Sequence, residues 1–194
     1  MKNHSKGRDN PLFVIAGPAG VGKTTIIQNL RKIFPELRPT VTYTTRTKRR
    51  FGTEDKVVHY VDQSEFDRRR LAGEFIETAY IHGEWYGTHR AETEDVMSDF
   101  PVIMNIDVQG FAQIKKEYGE RVISIFIAPE SLEQLRAHMV SRGDSDEANI
   151  QTRLKTAEME LAHQDEFDYV VLNREGKMEE TLAKIKDIFT EKLA

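Results

Sequence analysis

One glycine-rich segment restricts the possible folds of this chain more than any other feature of its sequence. Residues 17–24 read Gly-Pro-Ala-Gly-Val-Gly-Lys-Thr, directly after an almost continuous apolar run at residues 11–16. Glycines let successive backbone N–H groups face one phosphate, and the positive end of a following helix favours the anion. The pattern therefore predicts a strand, a phosphate-binding loop and a helix in succession.

The same loop predicts the binding of a nucleoside triphosphate. We expect the ammonium group of Lys23 to contact the β- and γ-phosphates of ATP, and the hydroxyl of Thr24 to bind Mg²⁺. The residues predicted to contact this cofactor are Gly17, Ala19, Gly20, Val21, Gly22, Lys23, Thr24 and Thr25. The implied cofactor is Mg²⁺ with ATP as the phosphoryl donor, although the loop alone does not separate kinases from GTPases or ATPases.

Apolar runs alternate with segments of helical spacing along most of the chain. Runs like that of residues 11–16 recur at residues 102–106, 122–128 and 169–172. This alternation predicts an α/β fold with a parallel central sheet flanked by helices, and ligands at the carboxyl ends of the strands. A chain of 194 residues suits one domain, residues 1–194.

Two stretches depart from this alternation. Residues 40–90 predict an inserted, partly antiparallel subregion, in which Asp62 and Glu65 form a capping box on a short helix and Phe66 faces a local core. A polar, charged and non-periodic stretch within about residues 138–152 predicts a mobile lid.

Composition argues against several classes of function. The formal net charge of −4 and the pI near 5.9 argue against nucleic-acid partners and against binding to anionic membranes. The absence of cysteine excludes disulfides, thiolate metal sites and cysteine nucleophiles. Residues 1–10 are polar and predict a flexible tail, and without a long apolar run we expect no membrane partner and a cytoplasmic location.

A basic segment in this acidic chain predicts a second anion site. Residues 42–49 place Arg46 and Arg49 three positions apart, beside several hydroxyl side chains. Planar guanidinium groups grip two phosphate oxygens at once, so the cluster fits a phosphate monoester. An exposed basic loop explains the segment equally well when it is taken alone.

Several motifs, in order and at similar spacing, resemble those of guanylate kinases. They are Thr-x-Thr-Thr-Arg-x-x-Arg at 42–49, Gly-Glu-Phe-Ile-Glu at 73–77, Gly-Glu-Trp-Tyr-Gly-Thr at 83–88 and Ile-Asp-Val-Gln-Gly at 106–110. Arg142-Gly143, Arg153 and Val171-Leu-Asn173 extend the resemblance over nearly the whole chain. It implies the fold of a P-loop nucleoside monophosphate kinase, in which residues 40–90 bind GMP.

The resemblance also implies roles for individual residues. It assigns the phosphate of GMP to Thr42, Arg46, Arg49 and Tyr86, and guanine to Glu77, Thr88 and Asp107. It assigns the migrating phosphoryl group to Lys23, Arg46, Arg142 and Arg153, and the adenine side of ATP to Asn173. A carboxylate can accept from N1–H and the exocyclic amine of guanine together, and a hydroxyl can donate to O6, which favours these assignments.

Each of these residues also has an ordinary structural interpretation. Glu77 alone could be a solvent-facing strand carboxylate, Tyr86 a core ring, Asp107 a helix cap and Asn173 a strand-end cap. Thr42 and Thr88 could be ordinary strand hydroxyls.

Three positions depart from the family pattern. Val58 stands where the family has a phosphate-binding tyrosine, unless Tyr60 serves instead; Asn105 replaces an aspartate; and His138 replaces an arginine, either as a pH-sensitive lid charge or as a surface residue. Alternatives are therefore a related kinase with another acceptor, such as a ribose bisphosphate-type kinase, and a non-catalytic binding module. We expect a monomer or a homodimer.

Overall fold

A five-stranded parallel sheet forms the centre of the molecule. The computed structural model describes residues 10–47, 57–81, 83–141 and 146–194. The strands β1 to β9 span Leu12–Ala16, Arg38–Pro39, Val41–Thr44, Val57–Tyr60, Phe75–Ile81, Glu84–His89, Val102–Asn105, Val122–Pro129 and Tyr169–Asn173. The central sheet has the order β2-β7-β1-β8-β9, and all its pairs are parallel, as the alternation predicts.

Helices cover both faces of this sheet. The helices α1 to α7 span Lys23–Ile33, Gln63–Leu71, Arg90–Asp99, Val108–Tyr118, Leu132–Ser141, Glu147–Leu161 and Met178–Leu193. Alternate residues of β1 enter two cores, so that Phe13 packs with α1 and α7 while Val14 packs with α3 and α4. Because both faces are covered, every residue of β1 is fully buried, and this explains its unbroken apolar run.

The subregion at residues 40–90 forms a second, mixed sheet. Its strand order is β4-β3-β6-β5, with β3 and β4 parallel and the other pairs antiparallel. Phe66 is fully buried and stacks on Phe75, with ring centroids 4.9 Å apart. Asp62 caps α2 by accepting from Glu65 N, but the predicted capping box is wrong, since the Glu65 carboxylate binds Arg68 and Arg69 instead.

The predicted non-periodic stretch at residues 138–152 is mostly helical. Its first part ends α5 and its last part begins α6, because Asp146 accepts from Ala148 N and Ile150 is buried. Residues 142–145 between the two helices lie outside the described residues.

Most of the predicted tail, residues 1–9, also lies outside the described residues. Asn10 is held in place, since its side chain donates to the carbonyl of Met97 at 2.9 Å. Within the described ranges, none of the helices combines the length and the apolar character needed to cross a bilayer.

Candidate active site

The glycine-rich loop adopts a conformation that its glycines require. Gly17, Gly20 and Gly22 all have positive φ, and Gly22 forms the N-cap of α1 in the left-handed region. A Cβ atom at Gly17 would lie 2.3 Å from the carbonyl oxygen of Ile127 on β8. Both the φ angle and the lack of space exclude a side chain at Gly17, because the loop passes close to the backbone of β8 as it leaves β1.

The side chains of the other loop residues differ in exposure and in their contacts. The Lys23 ammonium donates to the carbonyls of Gly17 and Pro18, so it lies against the start of the loop. Thr24 is partly buried in the first turn of α1 and Thr25 is exposed. Ala19 is partly buried and packs against the core, whereas the Val21 side chain is buried within it, so Val21 offers a nucleotide its backbone rather than its side chain.

The predicted guanine-binding residues converge at the start of α4. Glu77 and Thr88 are both buried, and the Thr88 hydroxyl donates to Glu77 Oε1 at 2.7 Å. A Cβ atom at Gly110 would lie 2.8 Å from Glu77 Oε2, so the carboxylate lies directly against the first turn of the helix. Asp107 is the N-cap of α4 and accepts from Gly110 N at 3.0 Å.

This geometry decides between some of the alternatives. The solvent-facing interpretation of Glu77 is wrong, whereas Asp107 is a helix cap and also belongs to the converging group. The single hydroxyl proton of Thr88 goes to Glu77, so donation to a guanine O6 requires that the hydroxyl rotate. Thr88 therefore orients the Glu77 carboxylate.

A bulge in β5 brings this pair together. The pairing of β5 with β6 shifts register between Phe75 and Glu77, so that Glu77 lies opposite Thr88. Thr88 is in turn opposite Thr42 of β3. The bulge thus places Glu77, Thr88 and Thr42 in one row across three strands, and these three side chains are almost fully enclosed.

The next row of the mixed sheet carries residues predicted to bind the acceptor phosphate. Thr44 lies opposite Tyr86 on one side and opposite Tyr60 on the other, so both tyrosines share one face of the sheet. The Arg46 guanidinium lies 6.0 Å from the centre of the Tyr86 ring. Val58 lies opposite Thr42, one row away. Arg49 lies outside the described residues.

The two halves of the site meet at one edge of the central sheet. The phosphate loop follows β1, and Asp107 follows β7, the parallel neighbour of β1 whose last residue, Asn105, pairs with Ile15. The carboxyl ends of adjacent parallel strands lie at the same edge, where ligands of open α/β sheets bind.

Glu160 is a site residue that the sequence analysis missed. Burial raises the pKa of this α6 carboxyl to about 7, while the Lys23 ammonium opposes the rise and the Asp107 carboxylate adds to it. The charges of Lys23 on the phosphate-loop side and of Asp107 on the mixed-sheet side therefore both act on Glu160. Arg153 is partly buried on the same helix seven residues earlier, a spacing that puts the two side chains on one face. That spacing is the signal by which Glu160 could have been found.

Two residues predicted from the family pattern contact the outside of the phosphate loop. Asn173 is buried and its amide nitrogen donates to the Val21 carbonyl at 2.8 Å. His138 Nδ1 lies 3.0 Å from the Gly20 carbonyl, so it is not simply a surface helix residue. Contact of Asn173 with adenine stays a prediction, and Arg142 lies outside the described residues.

The fold and the site together define the class of a P-loop nucleoside monophosphate kinase: a phosphate loop after the central strand, faced by a mixed-sheet insertion with a buried carboxylate. A family model described as guanylate kinase matches residues 9–192. The chain belongs to the guanylate kinase family.

Individual relatives agree with this assignment. The guanylate kinase of Thermotoga maritima is 41% identical over 163 residues, covering 84% of this chain and 78% of that protein. The guanylate kinase of Salinibacter ruber is 34% identical over 185 residues, covering 94% and 98%. A crystal structure of guanylate kinase from Anaplasma phagocytophilum matches with a TM-score of 0.73 and 31% identity, covering 96% of this chain and 88% of that one.

The raised pKa of Glu160 predicts a pH-dependent effect on stability. Its folded pKa of about 7 exceeds the ordinary value of 4.5, so stability is lost as pH rises from about 4.5 through 7. We expect Glu160→Gln to raise the free energy of unfolding at pH 8.5 by at most about 3 kcal/mol, and to change little at pH 4. Urea denaturation at both pH values measures the difference. The exposed neighbour Glu158→Gln is the control, and an equal effect of Glu160→Gln at both pH values would contradict the assignment.

Proposed function

We propose that the chain transfers the γ-phosphoryl group of Mg-ATP to the phosphate of GMP or dGMP, giving ADP and GDP or dGDP. The observation that carries this proposal is the enclosed Glu77–Thr88 pair against the start of α4, at the sheet edge from which the phosphate loop emerges. The setting is purine nucleotide metabolism, and the cytoplasm stays the expected compartment.

The reaction is a direct in-line transfer. An oxygen of the GMP phosphate attacks the γ-phosphorus, the bond from that phosphorus to the bridging β–γ oxygen breaks, and the electron pair leaves with ADP. Catalysis depends on position and on charge neutralisation, so no covalent intermediate and no general base is needed.

On the donor side, backbone N–H groups of the loop and the Lys23 ammonium bind the phosphates. Lys23 is already directed to the start of the loop by the carbonyls of Gly17 and Pro18, which a phosphate would replace as its partners. Arg153, and Arg142 beyond the described residues, would supply further positive charge when the lid at residues 138–152 closes over ATP.

Magnesium fits the donor atoms at this site as an ion that arrives with the nucleotide. Mg²⁺ prefers oxygen ligands and is bound by one or two protein groups together with substrate phosphates. The described residues contain no group of three histidines or carboxylates placed to hold a metal, and the Thr24 hydroxyl would hold the ion beside the phosphates. When bound, the ion offsets phosphate charge.

On the acceptor side, burial gives Glu77 its selectivity. An ionised carboxylate in an enclosed site must be paired, and guanine offers N1–H and an amine on the same edge. Adenine lacks that pair of donors, so the carboxylate would go without the two hydrogen bonds from the base and adenine would be rejected. Thr42, Arg46 and Tyr86 would hold the phosphate, with Arg46 neutralising it so that two anions can approach.

Assays of ADP formation test the proposed function directly. We expect turnover with Mg-ATP and GMP, and little with AMP, CMP or UMP. Ribose 1,5-bisphosphate is included as an acceptor, since turnover with it in place of GMP would favour the related kinase. The absence of ADP formation with every acceptor would favour the non-catalytic binding module.

Glu77→Gln tests the base assignment. We expect kcat/KM for GMP to fall about 100-fold or more, since the variant loses charge-assisted hydrogen bonds to the base, while ATP affinity stays unchanged. Steady-state kinetics with each substrate varied in turn separates the two effects. Glu120→Gln, at an exposed position, is the matched control, and unchanged use of GMP by Glu77→Gln would show that another residue reads guanine.

Tyr60→Phe tests whether Tyr60 compensates for Val58. Tyr60 shares its face of the sheet with Tyr86, so we expect loss of its hydroxyl to raise KM for GMP about fivefold, as for one hydrogen bond. The same change at the exposed Tyr80 should have no effect. If both variants bind GMP equally well, the acceptor phosphate is held without Tyr60.

A further inference from the structure

Two consecutive carbonyl groups of the phosphate loop are held by side chains from outside it. His138 on α5 lies with Nδ1 3.0 Å from the Gly20 oxygen, and Asn173 at the end of β9 donates to the Val21 oxygen at 2.8 Å. A trans peptide group points its C=O and its N–H in opposite directions. Each contact therefore fixes the direction of the N–H in the same peptide group. In the group that joins Gly20 to Val21, the Val21 N–H donates to the Pro18 oxygen within the loop at 3.3 Å.

The chemistry of the partners fixes how both side chains are oriented. A backbone carbonyl only accepts, so the Asn173 amide must face Val21 with its nitrogen and leave its oxygen on the other side. That oxygen accepts from the hydroxyl of Thr181 on α7, at 2.9 Å, and Thr181 is 1% exposed. Thr181 thereby stabilises the orientation that the Val21 carbonyl requires of Asn173.

The same rule applies to His138. Nδ1 faces a carbonyl and must carry a proton, while Nε2 lies 2.7 Å from a carboxylate oxygen of Glu175. The His138 ring thus joins the Gly20 carbonyl to the Glu175 carboxylate. Gln134, also on α5, donates to the backbone carbonyl of Asn173 at 3.0 Å and joins the two supports.

Close packing leaves these supports little freedom. A Cβ atom at Gly22 would lie 3.1 Å from the Asn173 amide nitrogen, which is closer than an ordinary contact, whereas one at Gly20 would lie at an ordinary 3.9 Å from the His138 Cβ. The absence of a side chain at Gly22 therefore leaves room for Asn173 beside the loop.

We propose that His138 and the Asn173–Thr181 pair are positioning residues that hold the phosphate loop in its anion-binding conformation from its carbonyl side. The inference rests on the proposed function, because the anion is the phosphate chain of Mg-ATP. Thr181 acts through Asn173 and Val21, so α7 contributes to ATP affinity through this chain of contacts.

Thr181→Val removes the hydroxyl at nearly constant volume and is the main test. We expect KM for Mg-ATP, and the Kd of a non-hydrolysable ATP analogue by calorimetric titration, to rise about fivefold, as for one lost hydrogen bond. KM for GMP should stay within about twofold, since these positioning residues contact the loop proposed to bind ATP and not the residues proposed to bind GMP. Thr181→Ser keeps the donor and should restore wild-type values.

Thr93→Val is the matched control. Thr93 on α3 is fully buried, and its hydroxyl has no hydrogen-bond partner among the described residues, so this change should alter neither constant. A Thr181→Val protein that melts at a lower temperature but binds the analogue like the wild type would overturn the proposal, since the role would then be structural only.

His138 provides an independent test of the same support. Its ring joins the Gly20 carbonyl of the loop to the Glu175 carboxylate after β9. A side chain that cannot donate leaves the Gly20 carbonyl without this partner, so we expect KM for Mg-ATP to rise when the donor is removed.

Two variants separate the contacts of His138. His138→Asn keeps a donor toward Gly20 and should change KM for Mg-ATP little, while His138→Phe has no donor and should raise KM for Mg-ATP about fivefold. Equal KM for Mg-ATP in His138→Phe and wild type would overturn this half of the proposal. Titration with the ATP analogue does not require GMP turnover. A protein that binds the analogue but fails to phosphorylate GMP would contradict the proposed function, while the effect of these positioning residues on binding of the analogue could still be measured.

Discussion

The parallel pairing of β1 with β7 on one side and β8 on the other controls everything at the active site. It buries all five residues of β1 and directs the loop that follows between two neighbours. The loop turns so close to Ile127 of β8 that Gly17 has no room for a side chain. On the other side the end of β7 leads into Asp107, so that the group of Glu77, Thr88 and Asp107 and the phosphate loop share one edge. The geometry of the sheet thus brings donor and acceptor together before any side chain acts.

The site concentrates groups that are costly to bury. Glu77 is enclosed and Glu160 is partly buried, and a carboxylate away from water must be paired or neutralised. The solutions differ between them. Glu77 receives the hydroxyl of Thr88 and lies against the N-terminal turn of α4, whose dipole favours negative charge, whereas Glu160 titrates near neutrality. The apolar cores on both faces of the sheet offset these costs.

Local signals in the sequence were sufficient for the phosphate loop and for four of the five central strands, whereas the two-residue strand β2 was not predicted. The glycine spacing specifies the turn itself, and β1, β7, β8 and β9 each end within a residue of their apolar runs. Glu77, Thr88 and Asp107 could be identified only from the family motifs, because their convergence depends on a bulge in β5 and on the approach of α4. The capping box at Glu65 failed because nearby arginines compete for the carboxylate. Glu160 and Thr181 were missed because their roles arise from contacts between elements far apart in the chain.

The support of the loop by the end of the chain has a consequence for how the protein folds during synthesis. Val21 and Asn173 are separated by 152 positions, and Thr181, which orients Asn173, lies in the last helix. That helix also buries Phe189 against Phe13 of the first strand, with ring centroids 3.8 Å apart. Contacts of such long range form late, after the cost of closing the chain has been met. A ribosome-bound chain that has exposed only its first half therefore carries the complete glycine-rich motif but not the contacts of Asn173 and α7 that support it.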